Sequence, residues 1–97
     1  TPVKVLISDK KTLFVQEESK VSAARSESQR QIVLLENELI HVQDFWIFNK
    51  EPKLETLRGR IGEQQRLIDI ADKRLEDIDL EIRWANGLLN YIDRETV

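Results

Sequence analysis

Residues 54–92 decide the fold, and they read LETLRGRIGEQQRLIDIADKRLEDIDLEIRWANGLLNYI. Apolar residues recur here at alternating intervals of three and four, the heptad spacing of a helix that packs along another helix. We call the stripe formed by the a and d positions the seam, and Gln64 is its only polar member. The seam consists of Leu54, Leu57, Ile61, Gln64, Ile68, Ala71, Leu75, Ile78, Ile82, Ala85, Leu89 and Ile92. A stripe kept this long predicts a long helix with a helical partner.

A second helical pattern precedes this stretch. Its a and d positions are Val21, Ser28, Ile32, Leu35, Leu39, Val42 and Trp46, with Glu18 and Arg25 intruding on the same stripe. Between the patterns, Asn49 suits the residue that ends a helix, and Pro52 suits the first turn of a new one. We therefore predict helices over about 17–48 and 53–94, joined by a tip at 49–52. The expected fold is all-α, an elongated antiparallel helical hairpin or coiled coil. The alternative is one continuous rod kinked at Pro52.

Residues 1–16 follow a different pattern. Val3, Val5 and Ile7 alternate in a run rich in β-formers, residues 8–11 resemble a turn, and residues 12–15 are again rich in β-formers. This pattern predicts a short N-terminal β-hairpin. The alternative is an extended arm followed by a helix that begins near residue 9.

Several large apolar residues lie off the seam. In the second helix they are Leu67, Ile70, Leu80, Trp84, Leu88 and Tyr91, and in the first they are Val33, Leu34, Ile40 and Ile47. One partner helix covers only one stripe, so these residues need another surface. We therefore predict a homodimer or higher oligomer, with an oligomer face that includes Leu67, Ile70, Trp84, Leu88 and Tyr91.

Phe45, Trp46, Ile47 and Phe48 form an aromatic and apolar cluster beside the predicted tip. One interpretation is that these residues close the end of the core or meet a second subunit. The other is an exposed tip that engages a receptor or a membrane interface, where aromatic side chains are favoured.

Composition excludes several functions. The net charge is -3 with both signs interleaved, so no basic surface for nucleic acid is expected. The chain has no cysteine and one histidine, His41, so we predict no catalytic residue, no cofactor and no metal site. Lys73 and Arg83 follow Asp69 and Asp79 by four residues, the spacing of surface ion pairs. We find no signal peptide or transmembrane segment and expect a soluble chain, with no compartment predicted.

Gln64 lies in the stretch Gln64–Asp69, which, with Ile82 and Ala85–Asn86, resembles the central layer of a glutamine SNARE motif. The resemblance implies that Gln64 is the central-layer glutamine of a heteromeric helical bundle. That motif requires a similar length of helix before the glutamine, and Pro52 interrupts it here. Without the resemblance, Gln64 either fixes the register of the seam or lies in a partly hydrated position near the tip.

The sequence therefore predicts a non-enzymatic protein–protein interaction module. We expect a self-associating coiled-coil domain with a structural or scaffolding role and a further protein partner. The alternatives are a hairpin that engages a receptor or membrane through its aromatic tip, and a SNARE-like component of a heteromeric bundle.

Overall fold

The structure, a computed structural model, describes residues 2–45 and 50–95 of the 97-residue chain. All of these residues belong to two α-helices, α1 at Pro2–Phe45 and α2 at Lys50–Glu95. No strand occurs within the two described ranges. The prediction of an all-helical hairpin is therefore confirmed.

The hairpin divides into two compact units, each built from one stretch of either helix. We call Ala23–Ala71 the connection unit, because it contains the connection between the helices. The terminal unit consists of Thr1–Ser22 and Asp72–Val97.

The core of the connection unit lies where α1 ends and α2 begins. Val42, Leu54 and Leu57 form a buried cluster, and Leu35 and Leu39 pack against it. The ammonium of Lys53 lies 3.8 Å from the carboxylate of Glu38, so the start of α2 lies beside the end of α1. The two helices therefore run antiparallel in this unit. Its other buried residues are Ser28, Ile32, Ile68 and Ala71.

The terminal unit repeats this antiparallel packing with the opposite ends of the helices. Ile7 from α1 and Ile78 and Ala85 from α2 are buried. Lys4 Nζ donates to Asp93 Oδ1 over 2.6 Å, which joins the first turn of α1 to the last turns of α2. Ile78 is fully buried at 0% exposure, so the α2 seam is covered far from the connection.

The predicted β-hairpin in residues 1–16 is wrong, because α1 already begins at Pro2. The alternative of an extended arm before a helix at residue 9 is equally inconsistent with this start. In the helix Ile7 and Phe14 both take d positions, where Ile7 is buried and Phe14 half-buried. Burying an Ile side chain stabilises by roughly 1.5–3 kcal/mol. A two-stranded hairpin on its own is marginal in water, and β-propensity differences span only about 1 kcal/mol. Tertiary packing therefore overrides the local alternation.

The alternative of one continuous rod kinked at Pro52 is wrong, because the end of α1 packs against the start of α2. Pro52 is the third residue of α2, where its missing N–H has no intrahelical acceptor in any case. The hydroxyl of Thr56 donates to the Pro52 carbonyl over 2.9 Å, within the same first turns. α2 begins at Lys50, slightly earlier than the sequence predicts.

Candidate functional site

The predicted seam of α2 lies on the side of the helix that is covered by α1. Its buried members are Leu54, Leu57, Ile68, Ala71, Ile78 and Ala85, and its half-buried members are Ile61, Gln64, Leu75, Ile82, Leu89 and Ile92. On α1, Ile32 and Val42 are buried and Leu35 and Leu39 are half-buried. These side chains hold the two helices together within each unit. A surface for another molecule must therefore lie off the seam.

The apolar arc of α1 is displaced from the seam in the terminal unit. The heptad frame of α1 extends back to its first turns, with Ile7 and Phe14 at d positions. The matching a positions hold Lys4, Lys11 and Glu18, all charged. At the c positions, Leu6 and Leu13 are 65% and 62% exposed. The apolar residues of this part of α1 thus lie at the d and c positions, and the g position lies between these two on the helix surface. The apolar side of α1 is therefore centred on g here, and not between a and d as in the seam.

The g positions of α1 and α2 lie on the same side of the terminal unit. Glu17 and Arg74, both at g positions, are joined by hydrogen bonds of 2.7 and 2.6 Å. We call this side the c/g face. It contains Val3, Leu6, Lys10, Leu13, Glu17 and Lys20 from α1, and Arg74, Asp77, Glu81, Trp84, Leu88 and Tyr91 from α2.

Two aromatic side chains, Trp84 and Tyr91, lie on the α2 half of the c/g face. Trp84 is 55% exposed and Tyr91 is 62% exposed, while Leu88 between them is half-buried. Leu80 precedes Trp84 by one helical turn at the border of the face and is also exposed. This grouping leaves large apolar side chains that the partner helix of the hairpin does not cover.

The opposite side of the terminal unit is polar. Its exposed or half-buried b and e residues include Ser8, Thr12, Ser19, Ser22, Glu76, Asp79, Arg83, Asn86, Asn90 and Asp93. Val5 and Val15 are the apolar exceptions on this side. Arg83 pairs with Asp79 over 2.9 Å as the sequence predicts, whereas Lys73 lies 3.9 Å from Asp77 rather than pairing with Asp69. The large exposed apolar side chains of the terminal unit therefore lie mainly on or beside the c/g face.

An ionic network crosses the c/g face. The Arg74 guanidinium donates two hydrogen bonds to Glu17 and one longer bond, of 3.5 Å, to Glu81 Oε1. The hydrogen bonds from Arg74 hold the pKa of Glu17 below its usual value, while the same bonds raise the pKa of Arg74. The second oxygen of Glu81, Oε2, is buried without a hydrogen-bond donor among the described residues.

Two predicted members of the oligomer face, Leu67 and Ile70, belong to the connection unit, and both are exposed. Leu34 on α1 is exposed there as well. Charged residues such as Glu27 and Glu63 occupy neighbouring c positions in this unit. Apolar residues are therefore sparser at the c and g positions of this unit than on the c/g face of the terminal unit, although Val33 and Ile40 are exposed elsewhere on its surface.

Of the predicted tip residues, Phe45 is described, while Trp46, Ile47 and Phe48 lie outside the described residues. Phe45 is 70% exposed. Its ring centroid lies 5.0 Å from that of His41, which is also exposed. His41 thus contacts an aromatic ring on the helix surface.

Within residues 2–45 and 50–95, no group of three or more His, Cys, Asp or Glu side chains is placed to hold a metal ion. Neither described helix combines the length and the apolar character that crossing a membrane requires. No protein-family model matches the chain, and comparison with curated proteins and with solved structures finds no match either.

Proposed function

We propose that this chain is a non-enzymatic interaction module that self-associates, with a structural or scaffolding role. The observation that carries the proposal is the c/g face, where Leu6, Leu13, Trp84 and Tyr91 are each more than half exposed. Large apolar side chains that are exposed together on one face and rimmed by charged residues mark an interaction site, whereas single exposed ones need no explanation.

The size of the face supports a protein partner. An aromatic side chain carries about 150–250 Å² of surface, so Trp84 and Tyr91 together leave roughly 200 Å² uncovered. With Leu6, Leu13 and Leu80 included, two copies of the face present on the order of 1,000 Å² of apolar surface. This is near the lower limit of specific interfaces, which bury about 1,200–2,000 Å² when their polar rim is included.

A matched pair of variants on α1 tests this proposal. Leu13→Glu places a charge on the c/g face, and Val15→Glu places the same charge on the polar side two residues away. Burying one leucine is worth roughly 1.5–3 kcal/mol, and a factor of ten in Kd corresponds to about 1.4 kcal/mol. We expect Leu13→Glu to raise the dissociation constant of self-association at least about tenfold, measured by sedimentation velocity.

Val15→Glu should leave the dissociation constant nearly unchanged. Far-UV circular dichroism should show full helicity for both variants, because both residues are exposed. If the two variants weaken self-association equally, the c/g face is not the surface that self-associates, and a parent chain that stays monomeric refutes the proposal itself.

A second candidate function rests on Phe45, whose 70% exposure next to the connection suits an aromatic tip. In this alternative the tip engages a receptor or a membrane interface. It requires no self-association. Binding of the chain to anionic vesicles that is lost in Phe45→Ala but kept in Leu13→Glu would favour the tip over the c/g face.

A further inference from the structure

We infer that the c/g face of the terminal unit binds a second copy of this chain in one particular alignment, with α1 of each copy lying on α2 of the other. The two copies are related by a two-fold axis parallel to the helices. This inference rests on the proposed self-association and adds to it the surface, the alignment and the charged pair that selects the alignment.

The two helices of one hairpin have a fixed antiparallel register in the terminal unit. The hydrogen bond from Lys4 to Asp93 shows which residues of the two antiparallel helices lie at the same height along the hairpin. Heptad spacing carried along both helices from this contact places Leu6 level with Tyr91 and Leu13 level with Trp84. In each such pair the leucine lies on the α1 row and the aromatic residue on the α2 row of the same face.

The two rows of the c/g face differ in net charge. The α1 row carries Lys10 and Lys20, while its acid Glu17 is already paired with Arg74. The α2 row carries Arg74 as well as Asp77 and Glu81, and Asp77 lies 3.9 Å from Lys73 of its own helix. The α1 row, with two lysines and one glutamate, has a net charge of +1, and the α2 row, with one arginine and two acids, has a net charge of -1. The α1 row is therefore basic and the α2 row acidic, so the face is complementary to itself when α1 lies on α2.

The charges of the two rows disfavour the competing alignment. A two-fold axis perpendicular to the helices would place α1 on α1 and α2 on α2, which opposes basic row to basic row and acidic row to acidic row. Like charges that face each other across an interface disfavour the alignment that brings them together. An axis parallel to the helices instead places Leu13 on the partner subunit's Trp84, and Leu6 on the partner subunit's Tyr91.

The same parallel axis places Lys20 level with the partner subunit's Asp77. Glu81 lies one turn further along α2, so the partner subunit's Glu81 is within one turn of the same ammonium. Each dimer contains this arrangement twice, because the axis is two-fold.

A charge swap between two separate variants tests this alignment. In a Lys20→Glu homodimer, two acidic pairs face each other across the interface, and in an Asp77→Lys homodimer two basic pairs do. We expect each variant alone to dissociate at least about tenfold more readily than the parent chain. Lys20 is exposed and Asp77 is half-buried at the helix surface, so circular dichroism should show unchanged helicity.

The decisive sample is a mixture of the two variants, one of them isotope-labelled. In the mixed dimer, the introduced glutamate faces the introduced lysine at one site, and the native Lys20 faces the native Asp77 at the other. Native mass spectrometry should therefore show mixed dimers in clear excess over both homodimers. No effect confined to one chain can produce this preference.

The outcomes separate the alignment from the proposed function. If the parent chain dimerises, but the variants dissociate no more readily than the parent and form no excess of mixed dimers, the alignment is wrong and self-association stands. If the parent chain is monomeric at every concentration, self-association itself is refuted, and the alignment with it.

Discussion

Replacing Ile78 by alanine is expected to destabilise the hairpin strongly. Ile78 is 0% exposed, so the substitution removes three fully buried carbons. At about 0.8 kcal/mol per buried carbon, the lost transfer free energy is roughly 2.4 kcal/mol. Incomplete collapse around the site adds a cavity term, and measured losses for Ile→Ala in protein cores are about 2–5 kcal/mol. We expect a loss of about 2–4 kcal/mol, because two helices enclose a site less rigidly than a deep core does.

The assay is urea denaturation followed by far-UV circular dichroism, at one fixed protein concentration because self-association is linked to stability. Ile40→Ala is the matched control, since it makes the same chemical change at a residue that is 54% exposed. Surface substitutions usually change the free energy of unfolding by less than about 0.5 kcal/mol. Equal losses in the two variants would refute the assignment of Ile78 to the core.

Two further predictions concern the helix surface. Gly59→Ala and Gly62→Ala should each raise the free energy of unfolding by about 0.5–1 kcal/mol, because alanine is the better helix former. No neighbouring atom lies within 4 Å of the added carbon at either position. A loss of stability in urea denaturation would instead indicate a close approach by another chain. The pKa of Glu17 is lowered from 4.5 by its hydrogen bonds from Arg74, so its contribution to stability is present above about pH 4.5 and is lost as the pH falls through the lower folded-state pKa. The pKa of Glu27 is lowered to about 2 by hydrogen bonds from Arg30 and then Gln31, and it acts in the same direction. Glu17→Gln should therefore flatten the acid side of a plot of urea midpoint against pH, and an unchanged slope would contradict the role given to the Glu17–Arg74 pair.

The seam of α2 could be predicted from the sequence because its period is regular and its members are almost all apolar. Each seam residue from Leu54 to Ile92 is buried or half-buried in the structure. Heptad spacing is a local property of one helix, so it can be recognised without knowing what the helix packs against.

The helical N-terminus was not predicted, although the sequence contains two signals for it. The frame of Val21, Ser28 and Val42 continues back to Phe14 and Ile7, and a seam that reaches Ile92 requires a partner helix of matching length on the other side of the connection. The charged a positions interrupt the first signal. Alternating β-branched residues then favour a strand locally, and only the tertiary partner reverses this preference.

The c/g face could be predicted in part. Trp84, Leu88 and Tyr91 stand out as apolar residues off the α2 seam, and they lie on this face. Leu6 and Leu13 were missed, because a β-hairpin at residues 1–16 gives them no helical position. Because α1 is helical from Pro2, its heptad frame places both leucines at c positions. The error about the fold therefore hid half of the candidate site.

The measurement that tests self-association most directly is the absolute mass of the chain in solution, by light scattering across a hundredfold range of concentration. The account predicts a mass that rises to twice the 11.4 kDa of one chain, or that remains there throughout if the dimer is tight. A mass of 11.4 kDa at every concentration would contradict it, and would leave Trp84 and Tyr91 to be covered by a different molecule.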